Sequence, residues 1–107
     1  MVDNDLVIEK KFNGNRCDVK IKGSIDTAAS VEFERTLSSI PKSVSCLVLD
    51  FSVVAYICST GLRVLLKIHK EMVSRGGVME LRNLPELVME VLEATGLSKL
   101  LSINPLP

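Results

Sequence analysis

The sequence predicts an α/β fold: a single domain built on one mixed, mostly parallel β-sheet with helices packed on it. Three observations point there. A period-two apolar pattern flanks an Asn-Gly pair near the start. Beyond it, short apolar runs alternate with amphipathic stretches of helical period. A chain of 107 residues with 47% hydrophobic content suits one core, and no repeat, low-complexity tract or linker divides it. The whole of 1–107 is therefore read as one domain.

Each element has its own warrant. Leu6, Ile8 and Phe12 precede "NGN" (13–15), and Cys17, Val19 and Ile21 then alternate with Asp18, Lys20 and Lys22. That pattern is a β-hairpin, closed by Gly23. Asp26 stands where an N-cap acceptor belongs, ahead of "TAASVEFERTLSSI" (27–40). There Ala29, Phe33, Leu37 and Ile40 recur at helical spacing, Glu32, Glu34, Arg35 and Ser38 take the other side, and Pro41 stops the helix. "VSCLVLDF" (44–51) is short, β-branched and nearly all apolar, as a strand covered on both faces would be. After a loop at 57–61, Leu62, Leu65, Leu66, His69 and Val73 form one helical stripe with Met72, opposite Arg63, Lys67, Lys70, Glu71 and Ser74. "RGG" (75–77) ends that helix through left-handed backbone angles. "VMELRN" (78–83) is a short strand, and Pro85 suits the first turn of a third helix. That helix turns Leu84, Val88, Val91 and Leu92 inward and stops at Gly96; "KLLSI" (99–103) is the last strand. The order is β-β-α-β-α-β-α-β, and every strand after the hairpin is reached through a helix, which makes it parallel to its neighbour.

Composition narrows function. Thirteen basic residues balance thirteen acidic ones and no Lys/Arg block occurs, which argues against a direct nucleic-acid binder. The longest apolar run, Val44 to Cys58, is broken by Ser45, Asp50 and Ser52, so no membrane insertion is expected. Cys17, Cys46 and Cys58 have no metal-ligand spacing and no leader segment precedes them; they are expected to be reduced thiols in a cytoplasmic protein, with Cys17 and Cys46 in the core.

The stretch "YICSTGLRVLL" (56–66) carries the functional question. In parallel sheets, functional groups gather at the carboxyl ends of strands, in the loops that open helices. Ser59 or Thr60 there can accept from an orphan backbone N–H, and Gly61 would let another chain or an anion come close. A helix start also favours negative charge, so phosphate on Ser59 would sit in a favourable field. Taken alone, a hydroxyl before an amphipathic helix is most often only a cap. A hydrolytic role for Ser59 lacks a base: His69, the single histidine, lies ten residues along the same helix, about 15 Å away.

The residues from Leu47 to Ile103 resemble the STAS domain, in particular bacterial anti-sigma factor antagonists. The resemblance rests on Asp50, Tyr56, Ser59, Thr60, Gly61 and Leu62, then Gly76 and Gly77, then Leu92, Thr95, Gly96 and Leu97. Upstream, "GSIDTAAS" (23–30) resembles the family's Gly-x-Leu-Asp segment. The resemblance implies a non-enzymatic regulator of transcription that works by partner switching. Dephosphorylated, such a protein binds an anti-sigma factor that is also a serine kinase, and so frees a sigma factor. The kinase uses ATP to phosphorylate the serine, which breaks the complex, and a metal-dependent serine phosphatase resets it.

Carried over by motif, Ser59 is the phosphoacceptor and Asp26 the acidic residue near it that contacts the kinase. The partner-facing set is then Asp26, Cys58, Ser59, Thr60, Gly61, Arg63 and Lys67, in a monomer or weak dimer that needs no cofactor. In place of the family's Asp before the serine stands Cys58, which has neither its charge nor its acceptor strength. A thiol near a helix start favours thiolate, although a plain packed or loop cysteine is the commoner outcome. The alternative reading is a soluble STAS scaffold subunit of a membrane lipid or anion transport complex, not controlled by phosphorylation.

Overall fold

Alternating apolar periods become alternating elements. The computed structural model describes residues 6–104. Strands β1 (Val7–Asn13) and β2 (Arg16–Ile25) form the antiparallel hairpin, which turns through Gly14 at φ +64°. Then come α1 (Thr27–Ser38), β3 (Cys46–Ile57), α2 (Ser59–Ser74), β4 (Val78–Arg82), α3 (Glu86–Ala94), a 3-10 turn at Leu97–Lys99, and β5 (Ser102–Asn104). The sheet order is β1-β2-β3-β4-β5, with every neighbour after the hairpin parallel. The α/β class and the element order are those read from the sequence.

The sheet order decides which face is covered. A right-handed crossover puts its helix on a side set by the direction in which the strands advance. From β2 to β5 that direction never reverses, so all three helices fall on one face. Val19, Ile21 and Ile25 of β2, Leu47, Leu49 and Phe51 of β3, and Met79 and Leu81 of β4 point there. They join Phe33 and Leu37 of α1, Leu65 and Met72 of α2, and Val88 and Leu92 of α3 in one aliphatic core.

The opposite face carries Asp18, Lys20, Asp50, Glu80 and Arg82. The two-sided cover expected for β3 is therefore absent. Its apolar run reads as doubly covered because Val48, on the open face, is also buried. It lies at a groove of about 310 Å³ shared with Lys20 and Arg82, between the Arg16–Asp18 and Arg82–Glu80 ion pairs.

Other expectations shift. β3 runs on to Ile57, six residues past the predicted end, because β2 continues beside it as far as Ile25 through two register shifts. The 3-10 turn takes up Lys99, so the last strand starts at Ser102 and not at 99. Cys46 is half-buried, whereas Cys17 is fully in the core. Pro85 precedes the third helix as its N-cap and does not occupy its first turn. On α2 the buried stripe is Gly61, Leu62, Val64, Leu65, Ile68 and Met72. Val73 is 54% exposed, and Leu66 and His69 only half-buried. The helix is rotated toward the side that its glycine opens.

The turn after α2 uses its two glycines differently. Gly76 takes the left-handed conformation at φ +77°. Gly77 lies so close to β3 that a Cβ would stand 2.7 Å from the Ser45 carbonyl oxygen, the acceptor of the Val78 N–H. Because the obstacle is backbone, it cannot swing aside. Gly77→Ala is expected to cost about 1–3 kcal/mol, measured as a lower denaturation midpoint at unchanged m-value; an unchanged midpoint would show that the strand is not held at this distance.

Candidate functional site

Register places the site. β2 and β3 end side by side, Ile25 opposite Ile57, and the Cys58 N–H donates to the Ile25 carbonyl at 2.9 Å. Each chain then turns directly into a helix. Asp26 caps α1, its Oδ1 accepting from the Ala29 N–H at 2.8 Å. Cys58 holds the same position on α2, and its carbonyl accepts the Leu62 N–H at 3.0 Å. Two helix N-termini, each with orphan amides and the positive end of a peptide dipole, thus lie next to each other.

The predicted loop at 57–61 reduces to Cys58, since Ile57 is strand and Ser59 already helix. Ser59 is the first helical residue and is exposed, and Thr60 behind it is half-buried. No protein group bonds the Ser59 hydroxyl among the described residues. Neither it nor Thr60 acts as the N-cap.

Thr60 instead ties the two helices together. Its Oγ1 lies 2.9 Å from the Cys58 Sγ and 3.1 Å from the Ser30 Oγ. Ser30, on α1, is only 5% exposed, and its Oγ donates to the Thr27 carbonyl at 2.7 Å. Sequence reasoning passed over Ser30 and Thr27. The available signal was a serine one turn ahead of Phe33 and two ahead of Leu37, on the face where α1 is otherwise apolar.

Gly61 does not do what was expected of it. It is buried, and a Cβ there would lie 2.8 Å from both Ile25 Cγ2 and Ile57 Cγ1. The missing side chain faces the sheet and lets the first turn of α2 sit on the strand ends. On that side it opens no approach for another chain, and its evident role is packing.

Arg63 and Lys67 do face outward. With Thr27, Ser30, Val31, Glu34, Thr60 and Val64 they line a groove of about 310 Å³ between α1 and α2, running from the Ser59 corner. Lys67 is ion-paired to Glu34 across the groove, and this partner raises its pKa. Arg63 is exposed and has no ion pair among the described residues. His69 lies further along α2, with a buried Nδ1 that has no partner among the described residues.

The electrostatics at Cys58 follow from the helix start. Burial pushes the thiol pKa up. Hydrogen bonding to the Thr60 hydroxyl, then the amides of Gly61 and Thr60, then the Thr27 hydroxyl outweighs it, so the net displacement is downward. The thiol sits where a capping carboxylate would accept, as a weaker acceptor.

Comparison with known proteins bears on the family and the fold. A family model described as the STAS domain matches residues 7–106. A curated relative, the anti-sigma-B factor antagonist of Bacillus subtilis (strain 168), is 29% identical over 100 residues, covering 94% of this chain and 92% of its own length. The crystal structure of an anti-sigma factor antagonist from Mycobacterium paratuberculosis superposes with a TM-score of 0.86 at 20% identity, over 98% of this chain and 90% of that one. The Bacillus cell fate determinant SpoIIAA in its phosphorylated form superposes at 0.75 and 15% identity, over 94% and 92%. At such identities the two structures speak for the fold.

The depressed Cys58 thiol has a direct readout. Its alkylation rate, followed by peptide mass spectrometry as pH rises, is expected to inflect at lower pH than that of the same cysteine in the denatured chain, and Thr60→Val is expected to move the inflection upward. An inflection at or above that of the denatured chain would contradict the hydrogen bonding at this corner.

Proposed function

The chain belongs to the STAS domain family, and we propose that it is an anti-sigma factor antagonist of the partner-switching kind. Unmodified, it binds an anti-sigma factor that is also a serine kinase, and a sigma factor is released. The kinase transfers the terminal phosphoryl group of ATP to the Ser59 Oγ, whose proton is lost as ADP leaves. The complex then separates, and a metal-dependent serine phosphatase hydrolyses the phosphoester. All of these partners act in the cytoplasm. No described helix is long and apolar enough to cross a membrane.

One observation carries the reading: Ser59 is exposed and unbonded at the first position of a helix whose start abuts that of a second helix. A kinase can reach the hydroxyl. The phosphate that replaces it, with roughly −1.5 to −2 charge, meets amide donors and two aligned dipoles, so the helix survives modification. The change is then one of surface and not of fold. A partner fitted to a neutral hydroxyl would have to desolvate that added charge on docking. Reversing a preference a hundredfold needs only about 2.8 kcal/mol, within the reach of such a burial.

The α1–α2 groove supports the same reading. It opens beside the Ser59 corner, and its lining combines the buried Val64 and the exposed Val31 with polar and charged side chains. Asp26, at the cap of α1, adds a carboxylate beside the acceptor loop for the kinase to contact. Near full-length coverage of the curated antagonist favours this role over a scaffold within a transport complex.

The test uses the purified protein, its anti-sigma factor serine kinase and ATP. Peptide mass spectrometry is expected to find phosphate on Ser59; Ser59→Ala should accept none yet still bind the kinase. The phosphorylated protein should bind at least about tenfold more weakly, a difference of ~1.4 kcal/mol. Phosphate solely on other residues, or equal binding in both states, would overturn the proposal.

A further inference from the structure

The first two turns of α2, "STGLRVLL" (59–66), contain a single cation, Arg63, four residues after Ser59. Residues i and i+4 are neighbours on a helix surface. Helical side chains lean toward the N-terminus, so the Arg63 stem points back over the turn that holds Ser59. Both residues are exposed, and neither has a side-chain bonding partner among the described residues. The next cation along the helix, Lys67, is held by Glu34 of α1 and stands eight residues from Ser59, about 12 Å along the axis at about 1.5 Å each.

We propose that Arg63 is an intramolecular clamp for the phosphate on Ser59. The inference rests on the phosphorylation reading above and specifies how it works. In the unmodified protein Arg63 lines the α1–α2 groove, exposed and without an ion pair among the described residues. After phosphorylation it turns onto the phosphate, whose oxygens match its planar fork in a charge-assisted, bidentate pair. Modification then changes the docking surface twice, adding negative charge at Ser59 and withdrawing a cation from the groove. Other charged groups do not compete for this role. Asp26 caps α1 and is of like charge to phosphate, Glu34 is engaged by Lys67, and the Cys58 thiol is bonded within the corner.

The test needs no kinase. Phosphoserine is incorporated at position 59 during translation, and the phosphate is titrated by phosphorus NMR in the otherwise wild-type chain and in the Arg63→Ala, Arg63→Lys and Lys67→Ala backgrounds. The second phosphate pKa, near 6 when unperturbed, is expected to lie at least about 0.3 unit lower in the wild-type background than in Arg63→Ala. Arg63→Lys should keep part of that difference, and Lys67→Ala should leave the wild-type value in place. The Arg63 Nε–H resonance should shift on phosphorylation and return when the phosphate is removed. Equal pKa values in the wild-type and Arg63→Ala backgrounds, or an equal rise in Lys67→Ala, would overturn the clamp. A kinase that fails to modify Ser59 would instead overturn the reading beneath it, so the two failures are told apart.

Discussion

A space too small for a methyl group governs this molecule. Ile25 and Ile57, the last residues of two paired strands, fill the room where a side chain on residue 61 would go. With glycine there, the first turn of α2 rests on the strand ends, and the Cys58 N–H reaches the Ile25 carbonyl. Both helix starts are thereby fixed to the same pair of strands and to each other. The Ser30–Thr60–Cys58 contacts, the exposure of Ser59 and the groove that begins beside it all depend on that seating. A larger residue would lift α2 and separate the two caps, even if each helix remained intact.

The single-sided sheet belongs to the same logic. Strand order advances without reversal, so no crevice forms between helices on opposite faces, the usual ligand site of doubly wound sheets. What remains at the carboxyl edge is a shallow corner formed by α1 and α2 alone. Such a corner suits recognition by another protein better than enclosure of a small molecule, because it displays groups and does not surround them. A covalently attached charge is an effective signal there, since amide donors and dipoles are already aligned.

Much of the architecture could be read from the chain. The Asn-Gly pair between alternating runs located the hairpin, Asp26 located the start of α1, and Gly96, at φ +81°, the end of α3. These are local signals, written within a few residues of where they act. The placement of Pro85 and of the 3-10 turn at Leu97–Lys99 was misread locally, by a residue or a few; the larger misreadings are long-range. The length of β3 depends on β2, some thirty residues earlier, continuing alongside it. Val48 looks like core because ion-paired neighbours shelter it, though it lies on the open face. The rotation of α2 depends on Gly61 meeting Ile25, which no helical period can disclose. At the site, Ser59 was legible as an exposed hydroxyl at a helix start. Ser30 and Thr60 as a tie between helices were not, because that contact exists only once the two strands are in register.

The seating of the two helix starts can be tested at one atom. Native-state hydrogen exchange of the Cys58 amide should show slow exchange, with protection near that of the central strands, and that protection should fall at least about tenfold in Gly61→Ala under conditions where the variant remains folded. Exchange of the wild-type amide at the rate of an exposed loop would contradict the account, because the corner that presents Ser59 would then be unpinned.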